Sequence, residues 1–193
     1  SFTGVRIGIS TAKGLARGAN VPLLSVSTLD ACAWTAWKAG VRGKLGVLAD
    51  AMRGEVYPAL YVLGDEGPER QFERESVVKA ALALDEWREA TDWDQMSLTG
   101  DGLVRYGKLL REEETARCVE RDLWWPSGEG LLLAHAAGDG DPARILPIYT
   151  RLSDAEENER RRLGLAESAQ SEITGVADEL AGRHLQFRPM GAA

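Results

Sequence analysis

Carboxylates, cysteines, histidines and glycine turns are the residues here that could do chemistry, and their spacing limits what each can do. Asp50 and Glu55 flank the short Met52-Arg53-Gly54 turn, where two carboxylates could act as an acid–base pair. The turn setting reads them instead as turn and cap residues. Gly100-Asp101-Gly102 lies between a short apolar run and a helical pattern, a place where backbone N–H groups could face a phosphate. No Lys-Ser/Thr follows to complete a P-loop, so Gly100, Asp101 and Gly102 are weak nucleotide-binding candidates and read first as a structural turn. Cys32 and Cys118 lie far apart inside apparent elements and read as buried thiols, with no disulfide framework or zinc spacing. The 2 histidines, His135 and His184, form no metal-binding pair, and no Gly-x-Ser-x-Gly elbow supplies a nucleophile. Catalytic and metal-ligating residues are therefore expected to be none. Arg160-Arg161-Arg162 follows Glu156, Glu157 and Glu159, a pattern of paired charges on a solvated helix.

Composition narrows the class further. The chain has 193 residues, 44% hydrophobic and 27% charged, as a globular protein of one domain or two small lobes would. Its net charge of -7 argues against this chain alone gripping a phosphate backbone, since that affinity comes from Lys and Arg. No apolar run reaches the roughly 18 residues that a membrane helix needs.

The elements alternate between helix and strand patterns, which predicts an α/β layered fold. The opening Ser-Phe-Thr-Gly-Val-Arg-Ile-Gly-Ile-Ser-Thr-Ala-Lys-Gly reads as a helix, with Ser1 and Thr3 available as caps. Val5, Ile9, Ala12 and Ala16 share one stripe, and Arg6, Ser10, Lys13 and Arg17 the opposite one. Gly4 and Gly8 stand one turn apart, and Gly14 comes where the helix is expected to end. Glycine costs about 1 kcal/mol per helical position relative to Ala. Several in one helix therefore point to close approach of another backbone, against the plainer reading of a loose surface helix.

Downstream, Asn20 to Val26 reads as extended, and Ser27-Thr28-Leu29-Asp30 as a capping box opening a helix that stops at Gly40. Leu45–Ala51 and Val56–Leu63 are strand patterns, and Pro58 marks the second as an edge strand or a bulge. Ser76–Ala90 reads as an amphipathic helix with Val77, Ala81, Leu84 and Trp87 inward. Met96–Thr99 reads as a strand, followed by a helix bearing Leu103, Tyr106, Leu109 and Leu110. A helix is expected over Ser127–Ala137, an apolar segment over Ile145–Tyr149, and a second capping box at Ser153–Glu156.

Four of these stretches, in order, carry a family likeness. Ser1 to Leu15 resembles the S-F-T-G-x-R-I-G-x-x-x-A-K-G-L motif of the TsaB (YeaZ) family. The similarity continues through Ser25–Ala31 and Ala49–Tyr57, and closes at Pro147–Arg151. The resemblance implies a two-lobe fold like actin and Hsp70, of the ribonuclease-H-like type. It also implies a non-catalytic subunit for transfer of threonylcarbamoyl to adenosine in tRNA. Such a subunit would dimerise with a TsaD-like catalytic partner or a second copy, alongside a TsaE-like ATPase, in the cytoplasm. It would meet tRNA only indirectly, and ATP and a metal would sit in the catalytic partner. The partner interface would then include Gly4, Arg6, Gly8, Lys13 and Gly14.

Family members carry an opening β-hairpin with an Asp-Thr motif and a Gly-Pro-Gly ahead of the Ser-Phe-Thr, so the chain reads as a fragment lacking them. Residues 1–163 are expected to form the TsaB-like domain, with lobes of about 1–40 plus 127–163 and about 41–126. A linker is expected over 164–183. His184–Met190 resembles the first strand of a RimI-like acetyltransferase, placing a fused domain at 184–193. Two other classes stay open: an ATP-dependent enzyme of the actin-like and sugar-kinase superfamily, and a bifunctional fusion with a protein N-acetyltransferase.

Overall fold

Alternating apolar residues between positions 45 and 63 build the centre of the molecule, a long antiparallel hairpin. In the computed structural model, residues 2–73, 77–89, 93–135, 145–146, 159 and 162–163 are described. Strands β1 (Gly43–Met52) and β2 (Glu55–Leu63) pair with Leu45 opposite Tyr61 and Leu48 opposite Pro58. Strand β3 (Pro68–Glu73) runs antiparallel along β2, and the short β4 (Val78–Lys79) pairs with the other end of β2. Strand β5 (Ser97–Thr99) joins β1 in parallel, giving the order β3-β2-β1-β5.

A strand's period of two sends alternate residues to opposite faces, and both faces of this sheet are covered. Leu45, Val47, Ala59, Tyr61 and Leu63 point to helix α2 (Thr28–Lys38), meeting Leu29, Cys32, Ala33 and Ala36. Leu48, Val56 and Leu98 point the other way, against Ala83, Leu84 and Trp87 of helix α3 (Ala80–Arg88). Gly46 is required there, because a Cβ would sit 2.7 Å from the Trp87 ring.

Helix α1 (Phe2–Ala19) precedes this layer, and short helices α4 (Gly102–Tyr106), α5 (Glu112–Thr115) and α6 (Gly128–Leu133) follow β5. The chain divides into two units, Ser1–Thr150 and Arg151–Ala193. In the second, Leu163 N donates to Glu159 O, and Arg162 pairs with Glu159 at 3.6 Å, the charge pairing expected of a solvated helix.

Several expectations need correction. Thr3 lies inside α1 rather than capping it, and Ser1 is outside the described residues. The helix runs through Gly14 and Gly18 to Ala19, because the left-handed stop is supplied by Asn20 at φ 54. Asn20 to Ser27 forms no strand. Ser27 is the N-cap of α2 by position, yet its side chain makes no cap bond. Asp30, the expected capping-box carboxylate, is taken by Tyr61 and Arg70 instead.

Strand β2 is an inner strand, not an edge. Pro58 fits because β4 pairs with β2 only as far as Val56 and the pairing with β3 starts at Ala59, so no outer neighbour needs its missing N–H. Helix α3 starts at Ala80, and its buried residues are Ala80, Ala83, Leu84 and Trp87; Ala81 is exposed, and Val77 is buried ahead of the helix. After Gly102 the helix stops at Tyr106 and tightens into a 3-10 turn over Gly107–Leu109. Helix α6 ends at Leu133, and His135 follows it, exposed, with Nδ1 2.7 Å from Leu132 O. Ser76, Ala90, Ala137, the 138–142 break, the 147–151 motif, the Ser153 capping box, His184 and everything from 164 onward lie outside the described residues.

Candidate partner surface

Helix α1 is 18 residues long and mostly exposed. An isolated helix of that length with several glycines is marginal in water, so its stability has to come from packing. Against the described residues that packing is thin: Ala16 is buried, Ile9 and Ala12 are half-buried, and Val5 is exposed.

The opposite surface is open toward the described residues. A Cβ built on Gly8, Gly14 or Gly18 would meet no described atom within 4 Å outside the helix's own nearby backbone. Internal packing against the described residues therefore does not account for these glycines. Gly4 is exposed and engaged within the chain, as is Arg6, while Lys13 is half-buried.

Two residues on this face escaped the sequence reading. Ile7 is 61% exposed and Leu15 is 70% exposed. At 3.6 residues per turn they fall among Gly4, Gly8, Thr11, Gly14 and Gly18. The signal was present in that spacing, but the inward stripe of Val5, Ile9, Ala12 and Ala16 drew the hydrophobic count. The face thus combines two apolar knobs with glycine flats, the relief that lets a second helix come close.

The turn at Gly100-Asp101-Gly102 is built from inside. Gly100 has φ 111, and a Cβ there would lie 2.7 Å from the Leu48 carbonyl carbon. A Cβ on Gly102 would lie 2.7 Å from Leu48 O. Asp101 Oδ1 accepts from the backbone N of Asp50 at 2.8 Å. Packing against β1 by itself accounts for both glycines and gives the aspartate a structural bond.

Asp50 and Glu55 part company in the same region. Asp50 Oδ1 accepts from Met52 N at 2.8 Å and from Tyr106 Oη at 3.1 Å, while Arg105 Nε lies 2.8 Å from Oδ2. Glu55 pairs with Lys79 at 3.2 Å. Asp50 bonds within the turn and ties the hairpin to α4, whereas Glu55 ties it to β4. The two cysteines are free; burial pushes the Cys32 thiol up to about 12, with the nearby Asp101 charge adding to it. Among the described residues no group of three His, Cys, Asp or Glu side chains could hold a metal, and no helix is long and apolar enough to cross a membrane.

A further polar cluster locks α2 over the sheet. Asp30 Oδ1 accepts from Tyr61 Oη at 2.9 Å and from Arg70 Nε at 3.0 Å, with Arg70 Nη2 also in contact. Burial, then the Asp30 charge, raises the Tyr61 phenol well above its ordinary value. Asp30→Ala would leave Tyr61 Oη and Arg70 without this acceptor. It should cost about 1–3 kcal/mol, read as a lower urea midpoint; an unchanged midpoint would show that the cluster contributes nothing.

Known proteins share this frame. A family model described as "TsaD: tRNA N6-adenosine threonylcarbamoyltransferase" matches residues 1–122. The tRNA threonylcarbamoyladenosine biosynthesis protein TsaB of Escherichia coli (strain K12) is 39% identical over 162 residues, covering 78% of this chain and 66% of that protein. TsaB of Buchnera aphidicola subsp. Schizaphis graminum (strain Sg) is 24% identical over 148 residues, covering 77% of this chain and 67% of that protein. The chain thus spans about two thirds of the length of these curated relatives.

Among solved structures, a Pseudomonas aeruginosa protein described as uncharacterised with similarity to peptidase YeaZ superposes with a TM-score of 0.58 at 27% identity. The match covers 78% of this chain and 69% of that one. YeaZ from Pseudomonas aeruginosa gives 0.55 at 25% identity, covering 77% and 68%. The mixed α/β sheet and these likenesses fit the actin- and Hsp70-like, ribonuclease-H-like fold. From its opening helix motif through the central hairpin, this chain belongs to the TsaB (YeaZ) family.

Proposed function

We propose that the chain is a docking and activating subunit in the formation of threonylcarbamoyladenosine in tRNA. Its task is to pair with a TsaD-like catalytic subunit, which carries ATP, metal and the transfer chemistry. The tRNA is met through that partner in the cytoplasm, a TsaE-like ATPase joins the assembly, and a second copy of this chain is the competing occupant. The observation carrying this reading is the open face of α1, where Ile7 and Leu15 stand exposed among glycines that no other described residue approaches. Arg6 and Lys13 belong to the flank of that contact, and Gly4, Gly8 and Gly14 to its flat part. The names of the curated relatives support the pathway.

Gly8→Leu places a side chain where the partner backbone is expected. Overpacking of about 1–3 kcal/mol corresponds to a roughly tenfold to hundredfold loss of affinity. Leu15→Asp removes an apolar anchor and adds a charge at the same surface, with a loss at least as large expected. Both substitutions should leave the isolated chain's melting temperature nearly unchanged, because a Cβ at Gly8 meets no described atom within 4 Å and Leu15 is 70% exposed. Titration calorimetry with the TsaD-like subunit reads the first effect and thermal denaturation the second. Unchanged binding by both variants would remove α1 from the interface.

A further inference from the structure

Two residues at the tip of the central hairpin stand where glycine or asparagine would stand more easily. Between β1 and β2 the two-residue link Arg53-Gly54 has φ 55 and 81, and Met52 before it has φ 65. Two-residue hairpin links with both φ values positive favour Asn, Asp or Gly at the first place, because a larger side chain crowds the left-handed backbone. Neighbouring elements hold the strain in place. Asp50 Oδ1 accepts from Met52 N at 2.8 Å, Lys79 Nζ donates to Arg53 O at 3.2 Å, and Ala80 N donates to Gly54 O at 3.0 Å. Backbone strain that the surroundings maintain clusters at functional sites. Met52 and Arg53 are both exposed.

Charge around this tip is sorted by depth. The Lys79 side chain is 62% exposed and its partner Glu55 21%; the Arg105 side chain is 54% exposed and its partner Asp50 12%. In both pairs the acid lies inward and the cation outward. Arg53 is engaged within the chain as well, and is exposed. A chain of net charge -7 thus turns Arg53, Lys79 and Arg105 outward around one braced turn.

From this we infer that the hairpin tip is a second contact surface, which meets the phosphate backbone of the RNA that the catalytic partner holds. The inference rests on the role in tRNA modification proposed above and adds a direct contact to it. A guanidinium matches phosphate with its planar fork, and an ammonium meets it as a point charge. Cations on a braced backbone lose less freedom on binding. Within the hairpin Met52 is the one exposed large apolar side chain. That is too little for a protein interface, which centres on a buried apolar cluster. A few phosphate contacts do not hold RNA against the chain's net charge, so the tip acts within the assembly.

The test measures binding of an unmodified tRNA transcript to the complex with the TsaD-like subunit, by fluorescence anisotropy between about 50 and 300 mM sodium chloride. Arg53→Asn should weaken binding roughly three- to tenfold at low salt and flatten the plot of log affinity against log salt by about 1. Adding Lys79→Gln should flatten it by about 1 more. Arg53→Asn should melt at the parent temperature or up to about 4 °C above it, since Asn relaxes the turn. A variant melting well below the parent would show that the arginine serves the turn, and would overturn the inference. RNA affinity and salt slope unchanged in the double variant would also overturn it. So would weaker binding of Arg53→Asn to the TsaD-like subunit without RNA, which would assign the tip to an acidic protein surface. A parent complex that binds no tRNA would remove the proposed role and this contact together, whereas tRNA bound equally by parent and variants removes the contact alone.

Discussion

Gly100→Ala is expected to destabilise the native fold by about 3 kcal/mol or more, through two costs at one atom. The backbone at Gly100 has φ 111, a conformation that a side chain strains whatever the space around it. The added Cβ would also stand 2.7 Å from the Leu48 carbonyl carbon and 2.8 Å from the Leu48 nitrogen. Those atoms belong to β1, which is hydrogen-bonded on both sides by β2 and β5 and cannot retreat cheaply. Relief would mean lifting α4 off the sheet, along with the bonds from Asp50 N to Asp101 and from Tyr106 to Asp50. A thermal melt of the variant should show a large drop, or no cooperative transition. A midpoint within a degree or two of the parent would show that the turn packs more loosely than described.

Glu114→Ala should rank beside it, with a loss of about 3–5 kcal/mol, as expected when one partner of a buried ion pair is removed. Glu114 is 1% exposed and lies at the centre of a hub. Arg88 donates to it through Nε at 2.8 Å and Nη2 at 2.7 Å, Arg111 N at 2.8 Å, and Trp93 Nε1 at 3.3 Å. These bonds join α3, the Trp93 turn and α5, and truncation would leave the Arg88 guanidinium largely buried without its main counter-charge. The same hub sets an acid limit. The Arg88 hydrogen bonds, foremost, hold the Glu114 carboxyl at about 2 against an unfolded value of 4.5. A carboxyl depressed in the native state contributes its stability in full above the unfolded value and loses it as pH falls through the native one. Parent stability should therefore drop between about pH 4.5 and 2 by more than in Glu114→Gln, which has no proton to take up there. Parallel urea titrations across that window check it; identical slopes would mean that the pair is not formed.

Local patterns made much of this architecture legible. The alternation at 45–63, the Met52–Gly54 turn and the stop at Gly40 were readable because strand period and left-handed turns are written within a few residues. The family likeness was legible too, through four spaced motifs. Asp30 was misassigned because a capping box is a local pattern, while the side chain's partners, Tyr61 and Arg70, come from β2 and β3. Pro58 suggested an edge for a similar reason, since only the sheet shows that β4 ends and β3 begins around it.

The glycines divide along the same line. Sequence by itself determined that α1 is a helix carrying more glycine than a helix tolerates without cause. Only the tertiary structure decided which glycines fill contacts inside the chain, as Gly100 and Gly102 do against Leu48, and which meet no other described residue, as Gly8 and Gly14 do. Glycine is written identically in both cases, and what distinguishes them is the presence of another backbone above the missing Cβ, which is set by elements tens of residues away. The exposure of Ile7 and Leu15 has the same origin: periodicity names the residues that share a face, and packing alone selects the face that the chain covers.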